Sequence, residues 1–286
     1  MQTKSTWKPV AFFLAWLVVL SAPVDLLAWH AGASTAMLSR MVMWCPGIAA
    51  ILTAFRFRVS SEELGLCLPE GKSVWVGYFA PWLYAVPVYV VTWILVKDAF
   101  DWAVFARAQA GPYRMEAHQG LFAMAFGVPS TLTFGLLSTI MWALGEELGW
   151  RGFLAPAFTS RLGPTASGLI VGAIWAVWHY PMLLGAGYNA GTAHLYATVC
   201  FTLMVISLGV LLSWMRLVTG SVWPCVIVHA SHNTLVQGVL DAMTSHTGRA
   251  PWVTTEFGAG MAVTVALVAT AYVWWARRSR TRKALA

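Results

Sequence analysis

The stretch LLSTIMWALGEELGWRGFLAPAF, Leu136 to Phe158, decides how the rest of the chain is read. It is apolar enough to lie in a bilayer, yet Glu146, Glu147 and Arg151 sit in its middle. Ionisable groups are costly in hydrocarbon and are kept there for relays, pathways or catalysis. Adjacent residues on a helix point about 100° apart, since one turn takes about 3.6 residues. The two carboxylates therefore cannot face one cavity equally. Glu147 and Arg151 are spaced i,i+4 and can pair. Glu146 is then left without a local cation, and a partly desolvated carboxylate of that kind suits a general base. This assigns Glu146 to chemistry and Glu147, with Arg151, to its support. Taken alone, the same three residues equally describe a structural ion pair at the membrane surface.

Composition outside this stretch agrees with a membrane setting. Of 286 residues, 59% are hydrophobic and 10% charged, with a mean hydropathy of +0.67; soluble domains carry about 25% charged residues. A soluble globular domain is excluded, and one all-α, polytopic integral-membrane domain over 1–286 is expected. The net charge of +7 does not point to nucleic acid, because the basic residues lie mostly between and after apolar segments. Membrane lipids are the partners this pattern implies. Cys45, Cys67, Cys200 and Cys225 show no C-x-x-C spacing and read as small core residues. Lys4 and Lys8 precede an apolar run, Val10 to Trp29, that exceeds the roughly 7–15 residues of a signal-peptide core. It reads as a first span that stays attached.

Eight segments approach the roughly 20 apolar residues a spanning helix needs: 9–29, 36–56, 74–96, 122–148, 165–185, 194–215, 219–240 and 257–276. With both termini cytoplasmic, the inner face receives Lys4, Lys8, Arg56, Arg58, Lys72, Arg151, Arg161, Arg216, Arg277, Arg278, Arg280, Arg282 and Lys283. The outer face receives Arg40, Lys97, Arg107, Arg114 and Arg249. That bias is the positive-inside pattern. The basic cytoplasmic tail, 277–286, reads as a topology anchor in contact with anionic lipid. The loop 97–121 reads as an amphipathic or lid-like excursion.

Two further polar clusters fall in apolar segments. The first is WAVWHYP, Trp175 to Pro181, with His179 at its centre. A lone His in such a helix is commonly a hydrogen-bonded core group. Pro181, however, removes a backbone donor and disturbs the preceding turn, which suits a wet cavity. The second is HASHN, in which His229 and Asn233 share a helix face and His232 lies beside them. An amide and an imidazole so placed can polarise a carbonyl or stabilise an oxyanion. Interhelical hydrogen bonding is the ordinary alternative. Glu, His, His and Asn on spans four to seven together suggest water-activating chemistry inside a membrane, with a catalytic core at about 122–240.

These residues resemble the CPBP family of intramembrane proteases, which includes type II CAAX prenyl proteases and bacterial Abi-like proteins. The resemblance rests on E-E-x-x-x-R, an aromatic-x-x-x-H element and H-x-x-x-N, each on its own helix and in this order, over roughly 130–240. It implies an endopeptidase in which Glu146 activates water, His179 helps hold it, and His229 with Asn233 forms the oxyanion site. Glu147 and Arg151 correspond to supporting residues, and His232 lies outside the motif, a bystander or supporting group. The family commonly has Phe where Trp175 stands, which enlarges an aromatic wall.

Zinc held by Glu146, His179 and His229 is an alternative to metal-free catalysis, but no H-E-x-x-H is present and no cofactor is favoured. The substrate implied is a membrane-associated protein or peptide, either prenylated or a bacteriocin leader, in a prokaryotic plasma membrane. A non-catalytic binding or immunity protein and a proton-coupled transporter are the competing classes. Glu146 lies near the cytoplasmic end of span four, whereas His179 lies about 21 Å into span five. For the two to meet, span four is expected to continue past Arg151, which would place the site in the cytoplasmic leaflet.

Overall fold

A computed structural model describes residues 7–31 and 36–285. Lys4 lies outside the described residues, as do the side chains of Arg280, Arg282 and Lys283. The described chain is all-α. Helices α1 (Lys8–His30), α2 (Ala36–Phe57) and α3 (Gly71–Leu95) are followed by the short α4 (Trp102–Ala110). A helical rod, α5 (119–162), turns sharply into α6 (164–185). Then come α7 (His194–Thr219), α8 (223–240) and α9 (Ala259–Leu285). The protein is a multi-pass membrane protein by this architecture.

Among the described residues, six helical stretches are long and apolar enough to cross a membrane: Lys8–His30, Met37–Phe57, Gly71–Leu95, Gln119–Gly185, His194–Thr219 and Ala259–Ser279. The sequence predicts eight, and the difference has two sources. Gln119–Gly185 spans 67 residues and contains two of the predicted spans, α5 and α6. The predicted span 219–240 appears as α8, α-helical over Trp223–His232 and π-helical over Asn233–Leu240. Its two His, Asn and Gln keep it out of the six.

The corner between α5 and α6 is Gly163, with φ 78° and ψ 166°. An L side chain rarely adopts that backbone, and Pro164 fixes the start of the next helix. As expected, the helix carrying Glu146 continues beyond Arg151, here to Leu162. Glu146 lies about 24 Å before Leu162 and His179 about 22 Å after Pro164, at 1.5 Å per residue. The two therefore reach the same level. Trp7 packs at a tilt against Phe158 and lies under the Arg161 guanidinium near that corner, as interfacial aromatics do.

Helix α5 is seated between α2 and α8, α6 packs along α7, and α9 packs on α7 and α3. Large apolar side chains such as Phe55, Ile94 and Phe134 face outward, which fits lipid contact. Cys45, Cys200 and Cys225 are buried as predicted, while Cys67 is exposed. Loop 97–121 folds into α4 and a connecting turn, and Phe105 and Ala106 pack on Val239 and Met243 at the end of α8. Asp101 caps α4 by accepting from Val104 N.

The seat of α5 on α2 is tight. A Cβ added at Gly149 would meet Pro46 Cβ at 2.5 Å and the Pro46 carbonyl at 2.8 Å. Gly149→Ala should push α2 away and lower stability by roughly 1–3 kcal/mol, the usual cost of overpacking. Thermal unfolding in detergent checks this, and a midpoint equal to wild type would contradict it.

Candidate active site

Glu146 and Glu147 end the α-helical part Leu136–Glu147 of α5, and a π-helical segment, Leu148–Leu154, follows at once. Such wide turns recur at functional sites because they re-aim side chains. Both carboxylates are buried, and they point to different places. Glu146 lines a cavity of about 170 Å³, whereas Glu147 sits behind the wall. The neighbouring carboxylates thus divide as the 100° rule predicts.

Glu147 Oε1 receives two donors, Arg151 Nη1 at 2.8 Å and His229 Nδ1 at 2.9 Å. The i,i+4 pair read from sequence is present. Its second partner lies on α8, 82 residues away in sequence, and was not foreseen. Arg151 is fully buried, with its guanidinium carbon 4.4 Å from the centre of the Trp175 ring. That stacking compensates a cation whose Nε and Nη2 find no hydrogen-bond partner among the described residues.

Glu146 has no cation on it, again as predicted, but it is not unpartnered. Its Oε2 accepts from Trp175 Nε1 at 2.7 Å and from Trp150 Nε1 at 3.3 Å. Its Oε1 lies 4.0 Å from His229 Nε2. His229 is thus held at Nδ1 by Glu147 and presents Nε2 to Glu146. His179 has Nδ1 on the Trp175 carbonyl at 3.0 Å, which leaves Nε2 for the cavity it lines. Asn233 lines the same cavity. The four residues predicted for chemistry are therefore brought to one cavity from three helices.

A second polar group shares that cavity, and the sequence reading missed most of it. His232 is more than a bystander. Its Nδ1 meets Tyr84 Oη at 2.9 Å and its Nε2 meets Glu256 Oε1 at 3.0 Å. Tyr188 donates to Glu256 Oε2, and Gln237 donates to Oε1 at 3.1 Å. Glu256 belongs to the connection between α8 and α9, outside the spanning helices. Burial alone would raise its carboxyl, but the hydrogen bonds and charge of His232, with Tyr188 and Gln237, outweigh it and bring it down to about 2. A lone Glu in a polar connection gave no sequence signal of this. Gln237 sits eight residues after His229 on the same helix, and that spacing was the one available clue.

Among the described residues, no group of three or more His, Cys, Asp and Glu is placed to hold a metal ion. Glu146, His179 and His229 line one cavity, and no step below runs through a metal.

These features define a class: a polytopic helical membrane protein with a buried glutamate–histidine centre. Residues 127–235 match the family model described as type II CAAX prenyl endopeptidase Rce1-like. The chain also resembles CAAX prenyl protease 2 of Methanococcus maripaludis, with 25% identity over 109 residues. That alignment covers 37% of this chain, and the chain spans 40% of the length of that relative. Over this region the chain is similar to the CPBP/CAAX protease family.

Removing one partner from a buried ion pair costs about 3–5 kcal/mol, because the other charge is stranded. Arg151→Met should therefore destabilise the fold by that amount and lower the unfolding midpoint in detergent far more than a surface Arg→Met change. An unchanged midpoint would show that Glu147 does not depend on Arg151.

Proposed function

We propose that the protein is a metal-free intramembrane endopeptidase that hydrolyses a peptide bond of a membrane-associated protein or peptide. The observation that carries this reading is the 4.0 Å gap between Glu146 Oε1 and His229 Nε2 in a cavity also lined by His179 and Asn233. That gap is too long for a direct hydrogen bond and suits a water bonded to both. Glu146 Oε1 takes a proton from this water, while His179 Nε2 helps to orient it. The hydroxide attacks the scissile carbonyl. Asn233 donates to the developing oxyanion, as does His229 Nε2 when the ring is doubly protonated. Glu146 then passes its proton to the leaving amine as the C–N bond breaks. General acid–base help contributes about 10²–10⁴-fold and an oxyanion donor about 10²–10³-fold.

The family match supports a membrane peptide or protein as substrate. Prenylated proteins and bacteriocin leaders are the two candidates carried forward. The positive-inside pattern supports both termini at the cytoplasmic face of a prokaryotic plasma membrane. Placing a reporter enzyme or a single accessible Cys at each end tests that orientation.

The function is tested by incubating purified wild type and Glu146→Gln with a library of prenylated and unprenylated membrane peptides, with and without 1,10-phenanthroline. Wild type should cleave in both conditions, and Glu146→Gln should lose at least about 10²-fold in turnover. Near-normal cleavage by Glu146→Gln would overturn the assignment. Loss of wild-type cleavage in chelator, restored by Zn²⁺, would replace it with the zinc reading.

A further inference from the structure

Trp175 touches Glu146, Arg151, His179 and His229. Its indole Nε1–H donates to Glu146 Oε2 at 2.7 Å, a shorter hydrogen bond than the one from Trp150. Its ring carries the Arg151 guanidinium on one face at 4.4 Å, and its centre lies 5.4 Å from that of the His229 ring. Its backbone carbonyl accepts from His179 Nδ1 at 3.0 Å. The side chain is buried, and its indole N–H is committed to the carboxylate. The sequence reading gave this residue only the role of a wall.

The two oxygens of Glu146 are consequently unequal. Oε2 holds two indole donors, from Trp175 and from Trp150 at 3.3 Å. Oε1 faces His229 Nε2 across 4.0 Å. A hydrogen bond to an ionised carboxylate is short and directional, so it fixes the rotation of the group as well as its charge. We infer that Trp175 is a positioning residue whose indole N–H ties off Glu146 Oε2 and leaves Oε1 as the oxygen that takes the proton from water. The inference rests on the peptidase reading above, and it separates a hydrogen-bonding role for Trp175 from a packing role. With Trp175 fixing Glu146 by its side chain and His179 by its carbonyl, one residue sets the distance between general base and water-holding imidazole.

Two substitutions distinguish the roles. Trp175→Phe removes the donor and some volume. Trp175→benzothienylalanine, introduced by codon suppression, keeps the shape and lacks the N–H. On a library peptide that wild type cleaves, both should lower kcat on the order of 10²-fold with KM held within about twofold, because the loss is one of orientation. Wild-type kcat in the benzothienylalanine variant would overturn the inference, since packing would then suffice. A second readout needs no turnover. In protein labelled with ¹⁵N-tryptophan, the indole resonance that Trp175→Phe removes should lie downfield and move upfield in Glu146→Gln. A Trp175 resonance unmoved by Glu146→Gln would overturn the hydrogen bond itself. Failure of wild type to cleave any peptide would count against the peptidase reading, and the indole resonance would still decide the contact.

Discussion

One carboxylate oxygen holds the centre together. Glu147 Oε1 accepts Arg151 Nη1 from its own helix and His229 Nδ1 from α8. A buried charge must be paired and hydrogen-bonded or it destabilises the fold. That requirement fixes the rotation of α5 against α8 and the orientation of the His229 ring. The remaining geometry follows from it. With Nδ1 committed, His229 can only offer Nε2 to the cavity, where Glu146 Oε1 faces it. The charge of Arg151 is spread over the Trp175 ring, and the same indole reaches back to Glu146. Positive and negative groups in the wall are thus linked through one aromatic side chain.

The surrounding helices serve this constraint by closeness and by length. Helix α2 lies against the Gly145 and Gly149 face of α5, where Pro46 leaves no room for a Cβ. That contact presses the two glutamates toward α6 and α8. The sharp turn at Gly163 lets α5 and α6 rise to the same level, where Glu146 and His179 line one cavity. The connection carrying Glu256 is fastened by Tyr188 and by Tyr89, which bonds Asp241 and the Thr255 amide. It closes the cavity at the end opposite the α5–α6 corner with groups that are already satisfied.

The helical, membrane-spanning architecture was legible because apolar length is a strong signal over 20 residues. That Glu146, His179, His229 and Asn233 would share a site was legible because they are polar groups in apolar surroundings, where chance placement is costly, and all four line one cavity. The different surroundings of Glu146 and Glu147 followed from helix geometry alone. What could not be read is pairing between helices. Nothing at Trp175 or Trp150 marks an indole as a hydrogen-bond donor, since Trp is ordinary in a membrane helix. His232 looked idle because its partners, Tyr84 and Glu256, lie 148 and 24 residues away in sequence. The number of spans was blurred at the Gly163 corner, where two spans run on as one helical stretch, and at α8, whose two His, Asn and Gln lower its hydropathy.

The central claim is that Glu147 acts through His229. A double-mutant cycle tests it most directly, with kcat/KM measured for wild type, Glu147→Gln, His229→Gln and the double variant on one cleaved peptide. If Glu147 acts only by orienting His229, the double variant will be about as slow as the slower single variant, and the two effects will not add. Fully additive losses would contradict the account, because the two residues would then act independently.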